Sequence, residues 1–245
     1  MIKRCKNIIP LLSVILINFV YLNAQTGVVI YKGNLNQKYI DSILKDLETK
    51  DIPMSHKKFS IDAYHNATDI ELILKFKDQK SYYYYKPNLE TENGFNTAEG
   101  IISTMAYYND NTSDRIIELN RYVGNISHKS LKWKLTNKTK KIGNYLCYQA
   151  IATEELYNRQ GFFYSEKVIA WFNPEIPLNF GPKFYIGLPG LVLEIQKKQF
   201  SITATKINLN PSKEVTFKVP KIDKVITKEE SYKRYKEMIE DRKNN

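Results

Sequence analysis

Apolar and polar positions alternate with a period of two through most of this chain. Ile70, Leu72, Leu74 and Phe76 interleave with Glu71, Ile73, Lys75 and Lys77, which gives a strand one apolar and one mostly polar face. Further strand patterns lie around 116–122, 131–135, 162–172, 191–195, 200–204 and 215–219, while 28–31 is β-prone and 145–150 looks like a strand. In 162–172, Phe163, Ile169 and Trp171 share one face, and Phe162, Val168 and Phe172 share the other. The run Tyr82 to Tyr85 places rings on both faces of its strand. Two segments break the period. Ile40, Ile43, Leu44 and Leu47 recur every three to four residues within 36–50, an amphipathic helix that Asp51-Ile52-Pro53 ends. Thr227-Lys228-Glu229-Glu230 is a capping box opening a charged helix through Tyr232, Tyr235 and Met238. Between the periodic runs, 88–100 is rich in turn formers, Gly143-Asn144 suits a hairpin tip, and Gln196-Lys197-Lys198-Gln199 reads as a second hairpin.

Roughly eight strands joined by hairpin-scale turns predict a mainly β fold. The expected form is a curled antiparallel meander, an open barrel or bowl-like sheet, with a helix near each end. A sheet this long has to curl, close or be covered, and its concave face is where a ligand would sit.

The first residues add a location. Lys3, Arg4 and Lys6 precede an apolar stretch over 8–20 that ends in Leu22-Asn23-Ala24 before Gln25. That order predicts a cleavable signal peptide over 1–24 and an exported, β-rich domain over 25–245, periplasmic or associated with the outer membrane. No later segment is apolar enough to span a bilayer as a helix. The formal charge of +11 falls to +8 once Lys3, Arg4 and Lys6 leave. The remaining cations are scattered along the strands, which speaks against a nucleic-acid partner. Cys5 leaves with the signal, so Cys147 is a lone thiol that forms no internal disulfide. It lies in an apolar strand pattern and reads as a small buried hydrophobe.

One segment has neither period. Residues 174–190 hold four prolines and three glycines among Phe180, Phe184 and Tyr185, which forbids helix and regular strand. Leu188-Pro189-Gly190-Leu191 has the proline and glycine of a type II turn. Two readings stay open: the aromatics plug an open end of the sheet, or the loop shapes a binding mouth. On the second reading the candidate binding residues are Phe180, Phe184, Tyr185, Gly187, Leu188, Pro189 and Gly190.

Gly-Leu-Pro-Gly-Leu-Val at 187–192 follows Gly181-Pro182 and Glu175-Ile176-Pro177. Together with Trp133, the stretch 141–147 and Ala170-Trp171-Phe172, it resembles the GLPGLI protein family of Bacteroidota, over about residues 120–200. Val192 stands where that family usually has Ile. The resemblance implies an exported envelope protein of a Gram-negative bacterium, with no catalytic residue to carry over. It also implies a likeness to a bowl-shaped β module of a secreted glycosidase.

Recognisable catalytic spacing is absent: there is no H-E-x-x-H, C-x-x-C, Walker loop or G-x-S-x-G. No metal or cofactor is expected. Acid pairs such as Asp110/Asp114 and Glu154/Glu155 read as solvated strand positions. The expectation is a non-catalytic binding or accessory module of the cell envelope, holding an apolar or lipid-like ligand or a segment of an envelope protein. A glycan-acting hydrolase and a structural module of an outer-membrane complex remain as alternatives.

Overall fold

Five residues between two strands dictate the shape of this molecule. A computed structural model describes residues 26–87, 96–158, 162–222 and 224–244; the expected signal peptide over 1–24 and most of the turn-rich stretch 88–100 lie outside them. The chain forms β1 (Thr26–Leu35), α1 (Gln37–Thr49), α2 (Met54–His65), β2 (Ile70–Lys77), β3 (Lys80–Lys86) and α3 (Thr97–Ile102). Next come β4 (Ala106–Asp110), β5 (Arg115–Leu119), β6 (Asn125–His128), β7 (Lys134–Ile142) and β8 (Tyr145–Tyr157). β9 (Phe163–Asn173), β10 (Leu191–Gln196), β11 (Phe200–Leu209), β12 (Val225–Ile226) and α4 (Lys228–Asn244) complete it.

The strands make one twelve-stranded sheet in the order β12-β6-β5-β4-β3-β2-β1-β11-β10-β9-β8-β7. Two antiparallel meanders, β1 to β6 and β7 to β11, are joined where β1 pairs with β11, and β12 adds in parallel to β6. The fold is therefore mainly β with an open, mixed sheet that does not close into a barrel. β6 and β7 stand ten strand spacings apart, about 48 Å on a flat sheet. Residues 129–133 connect them, and that length reaches about 20 Å at most. The sheet must curl until its two ends approach.

Residues 174–190 fill the space inside the curl. Phe180 stacks on Phe76 of β2 with centroids 5.6 Å apart. Phe184 stacks on His128 of β6 at 4.5 Å. The next residue, Tyr185, donates to Glu154 Oε2 of β8 at 3.0 Å. Adjacent loop residues thus touch strands near opposite ends of the sheet. Trp133 of the short crossover donates its Nε1–H to Ile186 O at 2.8 Å, tying connection and loop together. Phe180, Phe184, Tyr185 and Leu188 are all buried, as is the backbone of Gly190, whereas Gly187 and Pro189 are exposed. The expected type II turn is not formed. Gly190 N–H bonds to Leu188 O at 2.8 Å, a three-residue turn about Pro189, and Leu191 N–H goes instead to Ile176 O at 2.9 Å. The buried loop satisfies its amides against its own earlier strand of chain. Gly190 has φ +152 and packs so closely on the Asn173 carbonyl that a Cβ would collide with it.

Other expectations differ in instructive ways. Ile70, Leu72, Leu74 and Phe76 face the core, and the hairpin at Gly143 forms with φ +56. Thr227 caps α4 as expected, with Glu230 N–H on Thr227 Oγ1 at 3.1 Å, while the Glu230 carboxylate pairs with Arg234. Residues 215–219, expected as the last strand, are not one. They cross the outer face of the sheet, where Phe217 stacks on Tyr82 at 6.3 Å and Val215 is buried. Their alternation serves packing against a sheet face rather than a ladder. Phe162 also lies outside its expected strand and is exposed. Among the described residues no helix is long and apolar enough to cross a membrane.

If the loop is core, truncating it behaves as a core mutation. Phe180→Ala is expected to cost about 3–5 kcal/mol, read as a lower midpoint in urea unfolding; an unchanged midpoint would show that the loop can leave the sheet.

Candidate functional site

The loop fills the curl incompletely. At one end a cavity of about 400 Å³ remains, within the range of about 300–1,000 Å³ typical of small-molecule sites. α4 spans that end. Lys228 Nζ donates to Glu155 O of β8 at 2.6 Å, while Arg234 donates to Val123 O at 2.9 Å beside β6. Asn120, after β5, donates to Tyr235 Oη at 2.6 Å. The helix therefore bridges the two ends of the curled sheet.

The lining is aromatic and charged. Tyr157 of β8 and Tyr232 of α4 stack with centroids 5.1 Å apart, and Phe163 of β9 packs on both. Tyr164 stands at the rim, 42% exposed. Three carboxylates face inward from three strands. Glu118 of β5 accepts from Tyr107 Oη and His128 Nε2 at its Oε2, each at 3.0 Å, and from Asn120 Nδ2 at its Oε1 at 2.7 Å. Burial pushes the Glu118 carboxyl up, but these hydrogen bonds and the charge of His128 outweigh burial and hold it below the usual range. Glu154 of β8, 4% exposed, takes Tyr185 Oη at 3.0 Å and Lys197 Nζ at 2.6 Å, both on Oε2. Lys197 also lies 3.0 Å from Glu166 Oε2 of β9, and Lys198 N–H donates to Glu166 Oε1 at 3.1 Å.

Lys183 is the least expected member. It is 5% exposed and lines the cavity, and its ammonium donates to Ile102 O. The Phe200 ring lies 5.2 Å below it. Burial, helped by the charge of Lys197 and opposed by Glu154 and Glu118, brings it down to about 8.

The candidate binding residues divide accordingly. Phe184 and Tyr185 line the cavity; Phe180 and Leu188 are core; Gly187, Pro189 and Gly190 shape the loop. The sequence pairs separate as well. Glu154 is inside and Glu155 outside, as strand alternation demands; Asp110 accepts from Thr112 and is not part of the cavity lining, and Asp114 is exposed. Cys147 is buried with its thiol pushed up to about 11 by burial, so it presents no thiolate nucleophile. Sequence reasoning did not pick out Glu118, Glu166, Lys183 or Lys197. Lys183 carries a signal: it is the single cation of 174–190, set between Pro182 and Phe184. The others sit on polar strand positions or in a turn and carry none.

Among the described residues these features define a mainly β protein whose curled sheet holds a ring-lined cavity with charged side chains in its wall. A family model described as "Protein of unknown function (Porph_ging)" matches residues 160–194, which is β9, the loop and the start of β10. The matched stretch includes 187–192 but not Trp133 or 141–147, so it does not confirm the GLPGLI resemblance; it is consistent with a Bacteroidota protein. No curated protein matches the chain. A solved structure, PNGF-II in space group P21, aligns at 15% identity with a TM-score of 0.44, over 86% of this chain and 34% of that one. This chain thus spans about a third of the length of that protein.

Two outcomes are expected. Native protein leaves Cys147 unlabelled by a maleimide at pH 7 and reacts fully in denaturant; fast native labelling would mean the β7–β8 hairpin opens. Because Lys183 is held below its unfolded value of 10.5, the unfolded chain binds the extra proton between about pH 8 and 10.5, and native stability gains as pH climbs through that window. Lys183→Met lacks this gain, so the stability difference moves in favour of wild type between pH 7 and pH 10, measured by urea unfolding at each pH.

Proposed function

We propose that this is an exported cell-envelope module, related to the GLPGLI proteins, that binds a polyhydroxylated ligand, a glycan end, without chemically altering it. The observation that carries this reading is the pairing of ring faces with fixed polar groups around one cavity. Tyr164 at the rim suits the apolar side of a sugar ring, and the stacked pair Tyr157 and Tyr232 adds aromatic surface to the lining. Glu154 spends only Oε2 on the protein among the described residues, and its Oε1 is left to accept a hydroxyl. An apolar or lipid-like ligand fits this lining poorly, because three carboxylates and three lysines would lose water against it.

A two-carboxylate hydrolase also needs acids facing a pocket, and Glu154 and Glu166 do so. Here Lys197 lies between them and ties up both. Glu118 is held ionised by its donors. The engagement of Glu154 and Glu166 by one lysine supports binding over hydrolysis.

The test is a panel of soluble oligosaccharides from bacterial envelope and host glycans, titrated into the protein by calorimetry. At least one class is expected to bind intact, and Tyr232→Ala is expected to weaken it about tenfold, or about 1.4 kcal/mol. Turnover of the bound sugar, seen by mass spectrometry, would replace this reading with the hydrolase; silence across the panel would remove both.

A further inference from the structure

Lys183 carries three separate costs at one position. Its backbone has φ +56, in a turn closed by Tyr185 N–H on Pro182 O at 3.1 Å, a conformation that favours glycine or asparagine. Its side chain buries a cation. That cation has no carboxylate at ion-pair distance among the described residues: Lys197 takes Glu154 and Glu166, and His128 takes Glu118. An ammonium has three N–H donors, and Ile102 O accepts one. A purely structural role would be better served by an apolar residue, since a buried charge without its counter-ion is strongly destabilising. Strain and an unspent buried donor at the wall of a cavity point to use by something that enters it.

We propose that Lys183 is an anion subsite, so that the ligand is an acidic sugar whose carboxylate, sulfate ester or phosphate lies on the Lys183 ammonium. This rests on the glycan reading above and narrows it. The ammonium completes its donor set on the ligand's anionic oxygens, and Glu154 Oε1 takes a neighbouring hydroxyl. Elsewhere in the lining Lys197 lies between two of the carboxylates, Glu154 and Glu166, and Glu118 is held by Tyr107, Asn120 and His128. Lys228, from α4, is held on Glu155 O and adds a second cation on the helix side. The formal charge of +8 left after loss of Lys3, Arg4 and Lys6 favours approach of an anion over a neutral sugar.

A matched series separates these elements: galactose, galacturonate, galactose 6-sulfate and galactose 6-phosphate, titrated by ligand-observed NMR into wild type and Lys183→Met at pH 7. Wild type is expected to prefer at least one acidic member over galactose by about tenfold or more. The preferred member identifies the anion. In Lys183→Met that preference collapses to about onefold while galactose affinity stays within about twofold. If Lys183→Met does not fold by circular dichroism, wild type alone suffices. Its affinity for the acidic sugar falls as pH passes about 8 and the ammonium deprotonates, and galactose binding stays flat. Equal binding of neutral and acidic sugars by wild type overturns the anion subsite and leaves the glycan reading standing. A preference that survives in folded Lys183→Met overturns it too. Failure of all four sugars, with failure of the wider panel, counts against the glycan reading itself.

Discussion

The short connection from β6 to β7 is the constraint on which the rest depends. Five residues have to join strands that lie near opposite ends of a twelve-stranded sheet. A flat sheet would separate them by more than twice the reach of that connection. Curling is therefore a consequence of connectivity, not of any one side chain. Trp133 fixes the crossover by donating to Ile186 O, so the same five residues that bend the sheet also hold its filling in place.

A curled sheet encloses a volume that must be packed. Strand side chains alone do not fill it, and 174–190 supplies the missing mass. The prolines hold the loop in a shape that lets Phe180, Phe184, Tyr185 and Leu188 reach different strands. Gly190 lets the backbone pass against the Asn173 carbonyl where no Cβ fits. The loop stops short of one end, where α4 crosses. The cavity exists because the plug is incomplete and the helix roofs the remainder.

Where the sequence pattern determined structure, it did so through burial on one face. β2 was legible because its alternating apolar residues all reach the core. α2 was not, because none of its residues is buried and no apolar stripe marks it. α3 depends on Asn96 capping Ala98 N–H, a short-range device inside a turn-rich stretch. Residues 215–219 alternate as a strand would, yet they use that pattern to lay Val215 and Phe217 on a sheet face. The site was least legible of all. Glu118, Glu154 and Glu166 occupy polar positions on separate strands, and only the curl turns those positions toward one another. Local spacing holds no record of which ends of a long sheet will meet.

That distinction bears on how the cavity should be read. A protein that needed only to close its curl could extend the plug with apolar residues, gaining burial at every step. This chain instead places Lys183 where backbone and burial both oppose it, and sets Lys197 between two carboxylates in the same wall. Buried ion pairs give little net stability relative to apolar packing. At Lys183 the local choices run against the fold in backbone and burial together. Strain and a buried charge that coincide at the wall of a cavity are what a binding site looks like in energetic terms.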